Sequence, residues 1–183
     1  IPITTVSAEV FWRGNNINAS GTSFTTKGDA VLGHDPVFFS KVKKMNEIER
    51  YDLFRSEAWH FIKTHPKKFI LLTLKKFYYF WWFSPDSGRF YPKKYFEIYR
   101  YFYFLILLFS MIGIFLGLTS YQKDIVKKIL LLLFAGLTIS ISQSFFYIEG
   151  RHRLAVEPLL LIFTANGLIH IKDRIVLCLK TKI

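Results

Sequence analysis

A charged turn between two apolar stretches holds the residues of this sequence that are best suited to chemistry. It spans residues 149–153, and its two arginines, Arg151 and Arg153, stand two positions apart. A guanidinium group stays charged at every physiological pH and donates hydrogen bonds in a planar fork that matches phosphate oxygens. Two such groups at a membrane surface favour a site for a phosphate or diphosphate. The alternative is that both arginines only anchor helix ends to phospholipid headgroups.

Lysines supply a second set of cations, within the aromatic stretch of residues 69–83. This stretch is shorter than the roughly 20 residues that cross about 30 Å of hydrocarbon. On a helical wheel Lys68, Lys75 and Tyr79 fall together with Lys76 at their margin, and the apolar side chains gather on the opposite side. We expect a helix at the membrane interface, with Lys75 and Lys76 reaching lipid phosphates. A tilted spanning helix with snorkelling lysines is the alternative.

The candidate substrate-binding residues come from these two cationic regions. They are Tyr147, Glu149, Arg151, His152, Arg153, Lys75 and Lys76. No catalytic residue is assigned, because the acidic residues form no recognisable carboxylate pair and no GxSxG or P-loop motif is present. The five histidines lack metal-ligand spacing, and a single cysteine, Cys178, excludes a CxxC site. We therefore expect no metal and no cofactor.

The first 67 residues are polar and contain two recognisable elements. Glycine and asparagine crowd into residues 12–22, which favours a loop because both tolerate turn conformations and short polar side chains bond nearby backbone groups. Apolar residues recur at helical spacing from Asp52 to Thr64, and Pro66 disfavours a helical conformation at the residue before it. The pattern predicts a loop and then an amphipathic helix that ends at Thr64.

Three apolar stretches in the second half predict transmembrane helices: residues 101–119, 129–148 and 154–171. The third contains Glu157, and an unpaired carboxylate inside a membrane costs at least about 2.5 kcal/mol. We therefore expect Glu157 to pair with a nearby arginine. Asn166, in the same stretch, is expected to hydrogen-bond between packed helices.

Composition supports a membrane protein. Of the 183 residues 51% are hydrophobic, the formal net charge is +12, and the mean hydropathy is +0.25. This combination excludes disorder and argues against a free nucleic-acid-binding domain, so the expected anionic partner is membrane lipid. The basic residues of the short loops, seven against six, favour a cytoplasmic C-terminal tail by a small margin.

The expected fold is an all-α membrane protein with about three transmembrane helices, an amphipathic interfacial helix and a polar extracytoplasmic loop region. Residues 1–67 form the extracytoplasmic loop and amphipathic helix, and residues 68–98 form the interfacial helix and a connecting loop. Residues 99–183 form the three-span region with its cytoplasmic tail. Because the chain starts at Ile1 without a signal segment, we also expect it to be part of a longer protein.

Several segments, taken in order, resemble the C-terminal half of bacterial GT-C glycosyltransferases, which are similar to dolichyl-phosphate-mannose protein mannosyltransferases and to lipid A aminoarabinose transferase. The segments are Trp-Arg-Gly-Asn-Asn at residues 12–16 with Asn-Ala-Ser-Gly at 18–21, residues 58–62 with 65–69, Lys-Lys-Phe at 75–77, and Glu-Gly-Arg-His-Arg-Leu at 149–154 with Glu-Pro at 157–158. The resemblance extends over nearly all of the chain. His152 departs from the family, which more often has tyrosine there.

The resemblance implies an inverting transfer of a sugar from a polyprenyl-phosphate carrier to a glycan, lipid or protein acceptor, at the outer face of a bacterial inner membrane. In this family the catalytic carboxylate lies in the N-terminal half, so this chain would help to bind the lipid-phosphate donor without supplying the base. The alternative is a non-catalytic membrane anchor or a lipid-carrier-binding flippase component, because the residues themselves contain no catalytic constellation.

Overall fold

The computed structural model describes residues 6–180, except for the side chains of residues 175 and 177–180. The helices are α1 (Val6–Gly14), α2 (Pro36–Lys44), α3 (Glu47–Thr64), α4 (Pro66–Trp81), α5 (Lys93–Leu118), α6 (Lys123–Ser144) and α7 (Glu157–Lys180), with 3₁₀ turns at Val31–Gly33 and Gly150–Ala155. The chain is 75% helical, and its described part contains no β-strand, so the predicted all-α class is confirmed. Residues 181–183, the end of the predicted tail, lie outside the described residues.

The chain divides into two compact units. The first unit consists of the chain up to Ser87 together with Ser140–Arg153, and the second consists of Gly88–Ile139 together with the chain from Leu154 onward. The charged turn therefore belongs to the first unit, although it follows α6 in the sequence.

The first unit is built around aromatic side chains of three helices. The ring of Trp12 lies 5.1 Å from that of Phe38 and 5.0 Å from that of Phe54, measured between centroids. Because Trp12 is buried in this core at the end of α1, the chain stays helical through Gly14. The prediction of a loop over residues 12–22 is thus wrong for its first three residues and holds from Asn15 onward.

Helix α3 ends where the sequence predicts but begins earlier. Asn46 accepts a hydrogen bond from the backbone N–H of Glu49, and the Glu49 carboxylate accepts one from the backbone N–H of Asn46. This capping box satisfies two N–H groups that a helix start otherwise leaves exposed, so the helix begins at Glu47. Its predicted end at Thr64, two residues before Pro66, is confirmed.

Helix α4 has its apolar side chains outside and a lysine inside. Four apolar residues form an exposed strip, with exposed fractions between 55% and 68%: Ile70, Leu71, Leu74 and Tyr78. The opposite side, which packs into the first unit, contains Leu72, Tyr79 and the fully buried Lys76. A helix in water normally has the reverse arrangement. The exposed apolar strip therefore requires an apolar environment or partner.

In the second unit, α5 and α7 pack closely at glycines. A Cβ atom added at Gly113 would lie 1.9 Å from the carbonyl oxygen of Phe163, so only glycine permits this approach. Asn166 Nδ2 donates to the carbonyl oxygen of Gly113 over 2.8 Å, and the hydroxyls of Ser110 and Thr164 lie 2.9 Å apart. The predicted interhelical hydrogen bond of Asn166 is confirmed.

Two of the described helices, α5 and α6, are long and apolar enough to cross a membrane. They correspond to the first two predicted spans, although α6 ends at Ser144 rather than at Ile148. Helix α7, the third predicted span, is not among the described helices that are long and apolar enough to cross a membrane. Its uncharged part, residues 158–171, is about 21 Å long at 1.5 Å per residue, which is short of about 30 Å of hydrocarbon.

Glu157 has a hydrogen-bond partner on α5, and its predicted ion pair with an arginine stays a prediction. Its carboxylate lies at the start of α7 and accepts a hydrogen bond from the Tyr99 hydroxyl over 3.3 Å. Glu157 is half-buried, so water can also solvate its carboxylate.

Candidate functional site

The chain that follows α6 is bound to the first loop of the molecule. The backbone N–H of Ile148 donates to the carbonyl oxygen of Gly21 over 2.9 Å. Gly14, at the end of α1, contacts the backbone of Phe146 and Tyr147 so closely that an added Cβ would lie 2.6 Å from Phe146 C. These contacts fix the start of the charged turn against residues more than 120 positions earlier in the sequence.

The two arginines of the charged turn lie in different environments. The side chain of Arg151 is 67% exposed, and its Nε lies 3.0 Å from the Glu149 carboxylate. Arg153 is only 2% exposed, and its guanidinium carbon lies 4.3 Å from the centroid of the Phe83 ring. A guanidinium over an aromatic face is stabilised by the ring quadrupole. The expected use of both arginines as one surface-exposed pair therefore does not describe the fold.

His152 is half-buried between these two arginines. Its ring lies 5.8 Å from that of Tyr147, and its Nδ1 accepts from the backbone N–H of Glu149 over 3.3 Å. Burial lowers the pKa of His152 and the charge of Arg151 lowers it further, against an opposing effect of Glu149. The imidazole is therefore mainly neutral at neutral pH, which suits its role as an acceptor for the backbone.

Lys76 is a second buried cation in this region, after Arg153. It has no exposed surface, and its Nζ donates to the carbonyl oxygen of Gly14 over 3.2 Å and to Asn15 Oδ1 over 3.0 Å. Among the residues that the structure describes, no carboxylate lies within 4 Å of this amine. Burial lowers its pKa from 10.5 to about 7, because desolvation penalises the charged form.

Asn15 joins the segments that contain the predicted site residues. Its fully buried amide accepts from Lys76 and donates to the carbonyl oxygens of Phe11, over 2.8 Å, and Phe145, over 2.7 Å. One side chain thus connects α1, α4 and the chain entering the charged turn. Five of the predicted residues are at least half-buried around this junction and the turn that follows it: Lys76, Tyr147, Glu149, His152 and Arg153.

Lys75 lies on the outer side of α4 and lines a cavity of about 390 Å³. We call it the lysine cavity, because Lys27, Lys68 and Lys75 line it. The other lining residues are Ile17, Asn18, Ala19, Thr25, Thr26, His34, Leu71 and Leu72. No carboxylate is among them. Lys27, Lys68 and His34 were not among the predicted site residues, although the helical wheel placed Lys68 beside Lys75.

A second cavity, of about 280 Å³, lies on the other side of Ile17 and Asn18, which line both. Its ionisable lining residues are Asp35, Glu57, His60 and His65. One Asp35 oxygen already accepts from two backbone N–H groups at the start of α2. No cluster of histidine, cysteine and carboxylate side chains suited to a metal ion occurs within the searched, described part of the chain.

No family model, curated protein or solved structure matches this chain. Inferences about its function therefore depend on its own residues and their geometry.

Proposed function

We propose that this chain is part of a multi-pass glycosyltransferase of the bacterial inner membrane, which transfers a sugar from a polyprenyl-phosphate carrier to an extracytoplasmic glycan, lipid or protein. The part formed by these residues binds the anionic head of the lipid donor. The observation that carries the proposal is the junction at Asn15. Asn15 and Lys76 belong to two of the segments that resemble GT-C enzymes, and their side chains are hydrogen-bonded there although 61 positions separate them in sequence.

The distribution of apolar surface supports a place in the membrane. Only 22% of the apolar window of α5 and 17% of that of α6 is buried, so most of both helices is available to lipid. The exposed apolar strip of α4 adds a third lipid-facing surface, on a helix of only 16 residues that suits the interface better than a span.

The chemistry assigns a limited task to these residues. Displacing a phosphate from an anomeric carbon needs a base for the acceptor hydroxyl and cations that stabilise the departing phosphate oxygens. Basic side chains of the first unit provide such cations. The catalytic carboxylate would come from a part of the enzyme outside this sequence, as the resemblance implies.

The test is sugar transfer by the full-length protein. Membranes from cells that express it, and from cells that lack it, are given a polyprenyl phosphate carrying a radiolabelled sugar. We expect label to leave the carrier lipid and appear in an acceptor only when the protein is present. A carrier-binding flippase or a passive anchor would leave the label on the lipid in both preparations, and that result would reject the proposal.

A further inference from the structure

We infer that the lysine cavity binds the phosphate group of a lipid headgroup, with the lipid chain lying along the exposed apolar strip of α4. The inference rests on the proposed function for the kind of lipid, a polyprenyl phosphate. It assigns the phosphate to residues other than the arginines of the charged turn.

The charge of the cavity lining favours an anion. Three lysines line one space of about 390 Å³, within the range of about 300–1,000 Å³ that small-molecule sites occupy. An anion within reach of several like charges lowers their mutual repulsion. The carboxylate of Asp29 lies 3.3 Å from the ring of His34 but does not line the cavity.

Two of the lysines are held in place before any ligand arrives. Lys68 Nζ donates to the carbonyl oxygen of Ile17 over 2.7 Å, which leaves two of its three donors for another acceptor. Lys75 Nζ lies 5.5 Å from the centroid of the Tyr79 ring. Both side chains rise from α4, one face of which is buried in the first unit, so ligand binding orders little further structure.

The position of the cavity selects a lipid over a soluble phosphate. Leu71 lines the cavity, is 68% exposed and belongs to the apolar strip together with Leu74, which is 61% exposed. A single ligand with a phosphate head and an apolar chain therefore satisfies the lysines and covers the strip. Inorganic phosphate would leave the strip exposed to water.

The experiment measures binding of farnesyl phosphate, farnesol and inorganic phosphate to the full-length protein in detergent. The variants are Lys27→Gln, Lys68→Gln and Lys75→Gln, and the matched control is Lys67→Gln, an exposed lysine of α4 that does not line the cavity. We expect each cavity variant to weaken farnesyl phosphate binding about tenfold, the scale of a charge-assisted hydrogen bond, and the control to change it less than twofold. Tryptophan fluorescence verifies folding, since all four tryptophans precede Ser84.

The three ligands separate the sources of the phosphate. We expect farnesyl phosphate to bind far more tightly than farnesol or inorganic phosphate. The affinity for farnesol should be the same in the wild-type protein and in the three lysine variants. Equal affinity for inorganic phosphate would overturn the lipid assignment. Unchanged binding in all three cavity variants, or a loss seen only with Arg151→Gln, would overturn the site.

The two proposals fail in different ways. If the cavity variants bind normally while the wild-type protein transfers sugar, the lysine cavity is wrong and the proposed function stands. If farnesyl phosphate binding depends on the lysines but no sugar is transferred, the cavity stands and the enzymatic function is wrong.

Discussion

Replacing the buried Lys76 by methionine should change how the stability of the first unit depends on pH. In the folded protein the pKa of Lys76 is about 7, against 10.5 for an exposed lysine. Between these values the unfolded chain binds a proton at this position that the folded chain does not. Stability therefore rises with pH across this interval, because alkali favours the state that binds fewer protons.

The size of the effect follows from the two pKa values. One pKa unit corresponds to about 1.4 kcal/mol, so the difference between 10.5 and about 7 is worth about 5 kcal/mol over the whole interval. Between pH 7.5 and 9.5 the same pair of values gives a rise of about 2–3 kcal/mol. Methionine has no proton to bind, and it removes this contribution while filling a similar volume.

The assay is urea unfolding in detergent at pH 7.5, 8.5 and 9.5, followed by tryptophan fluorescence. We expect the free energy of unfolding of the wild-type protein to gain about 2–3 kcal/mol relative to Lys76→Met over this range. The constant offset between the two reflects hydrogen bonds lost at Gly14 and Asn15 and is not part of the test. Lys67→Met, at an exposed position of α4, should run parallel to the wild type. Parallel profiles for Lys76→Met would refute the reasoning, because they would mean that Lys76 titrates alike in both states.

Three further substitutions test the packing around the site and in the second unit. Gly14→Ala places a Cβ 2.6 Å from the backbone of Phe146 and should lower the free energy of unfolding in urea by about 1–3 kcal/mol. Gly33→Ala, whose new Cβ meets no other part of the chain within 4 Å, should lower it by less than about 0.5 kcal/mol. Equal losses in the two variants would disprove the close contact at Gly14. In Gly113→Ala the new Cβ lies 1.9 Å from a carbonyl oxygen, so this substitution should lower the thermal unfolding midpoint by several degrees. Gly136→Ala, where the nearest atom is 3.6 Å from the new Cβ, should leave the midpoint unchanged. A Gly113→Ala protein that unfolds at the same temperature as the wild type would contradict this packing of α5 against α7. Asn15→Ala removes hydrogen bonds to two carbonyl groups and to the buried Lys76 amine, and it should lower the free energy of unfolding in urea by about 2–4 kcal/mol. A loss below about 1 kcal/mol would show that the junction is not formed.

The sequence predicted elements that depend on local patterns. Pro66 marked the end of α3, and the long uncharged stretches in α5 and α6 marked two helices able to cross a membrane. The helical wheel of α4 placed Lys68 and Lys75 on one side, and both line the same cavity in the structure. Such patterns repeat every turn of a helix and are visible without knowledge of distant contacts.

Features that depend on distant contacts could not be predicted. Arg153 is two positions from an exposed arginine in sequence, but it is buried and its guanidinium lies over the ring of Phe83. Lys27 stands alone in a polar loop, and only the return of that loop to α4 brings it to Lys68. The burial of Lys76 likewise follows from Asn15, 61 residues earlier in the sequence.

Photo-crosslinking with a polyprenyl phosphate that carries a diazirine next to its phosphate tests the central claim most directly. After irradiation of the full-length protein in membranes, mass spectrometry identifies the modified residues. The account predicts adducts at the lysine cavity and along the apolar strip, around Lys68, Leu71 and Leu74, which are suppressed by Lys68→Gln. Adducts confined to α5, α6 or α7, with none in residues 66–81, would contradict it.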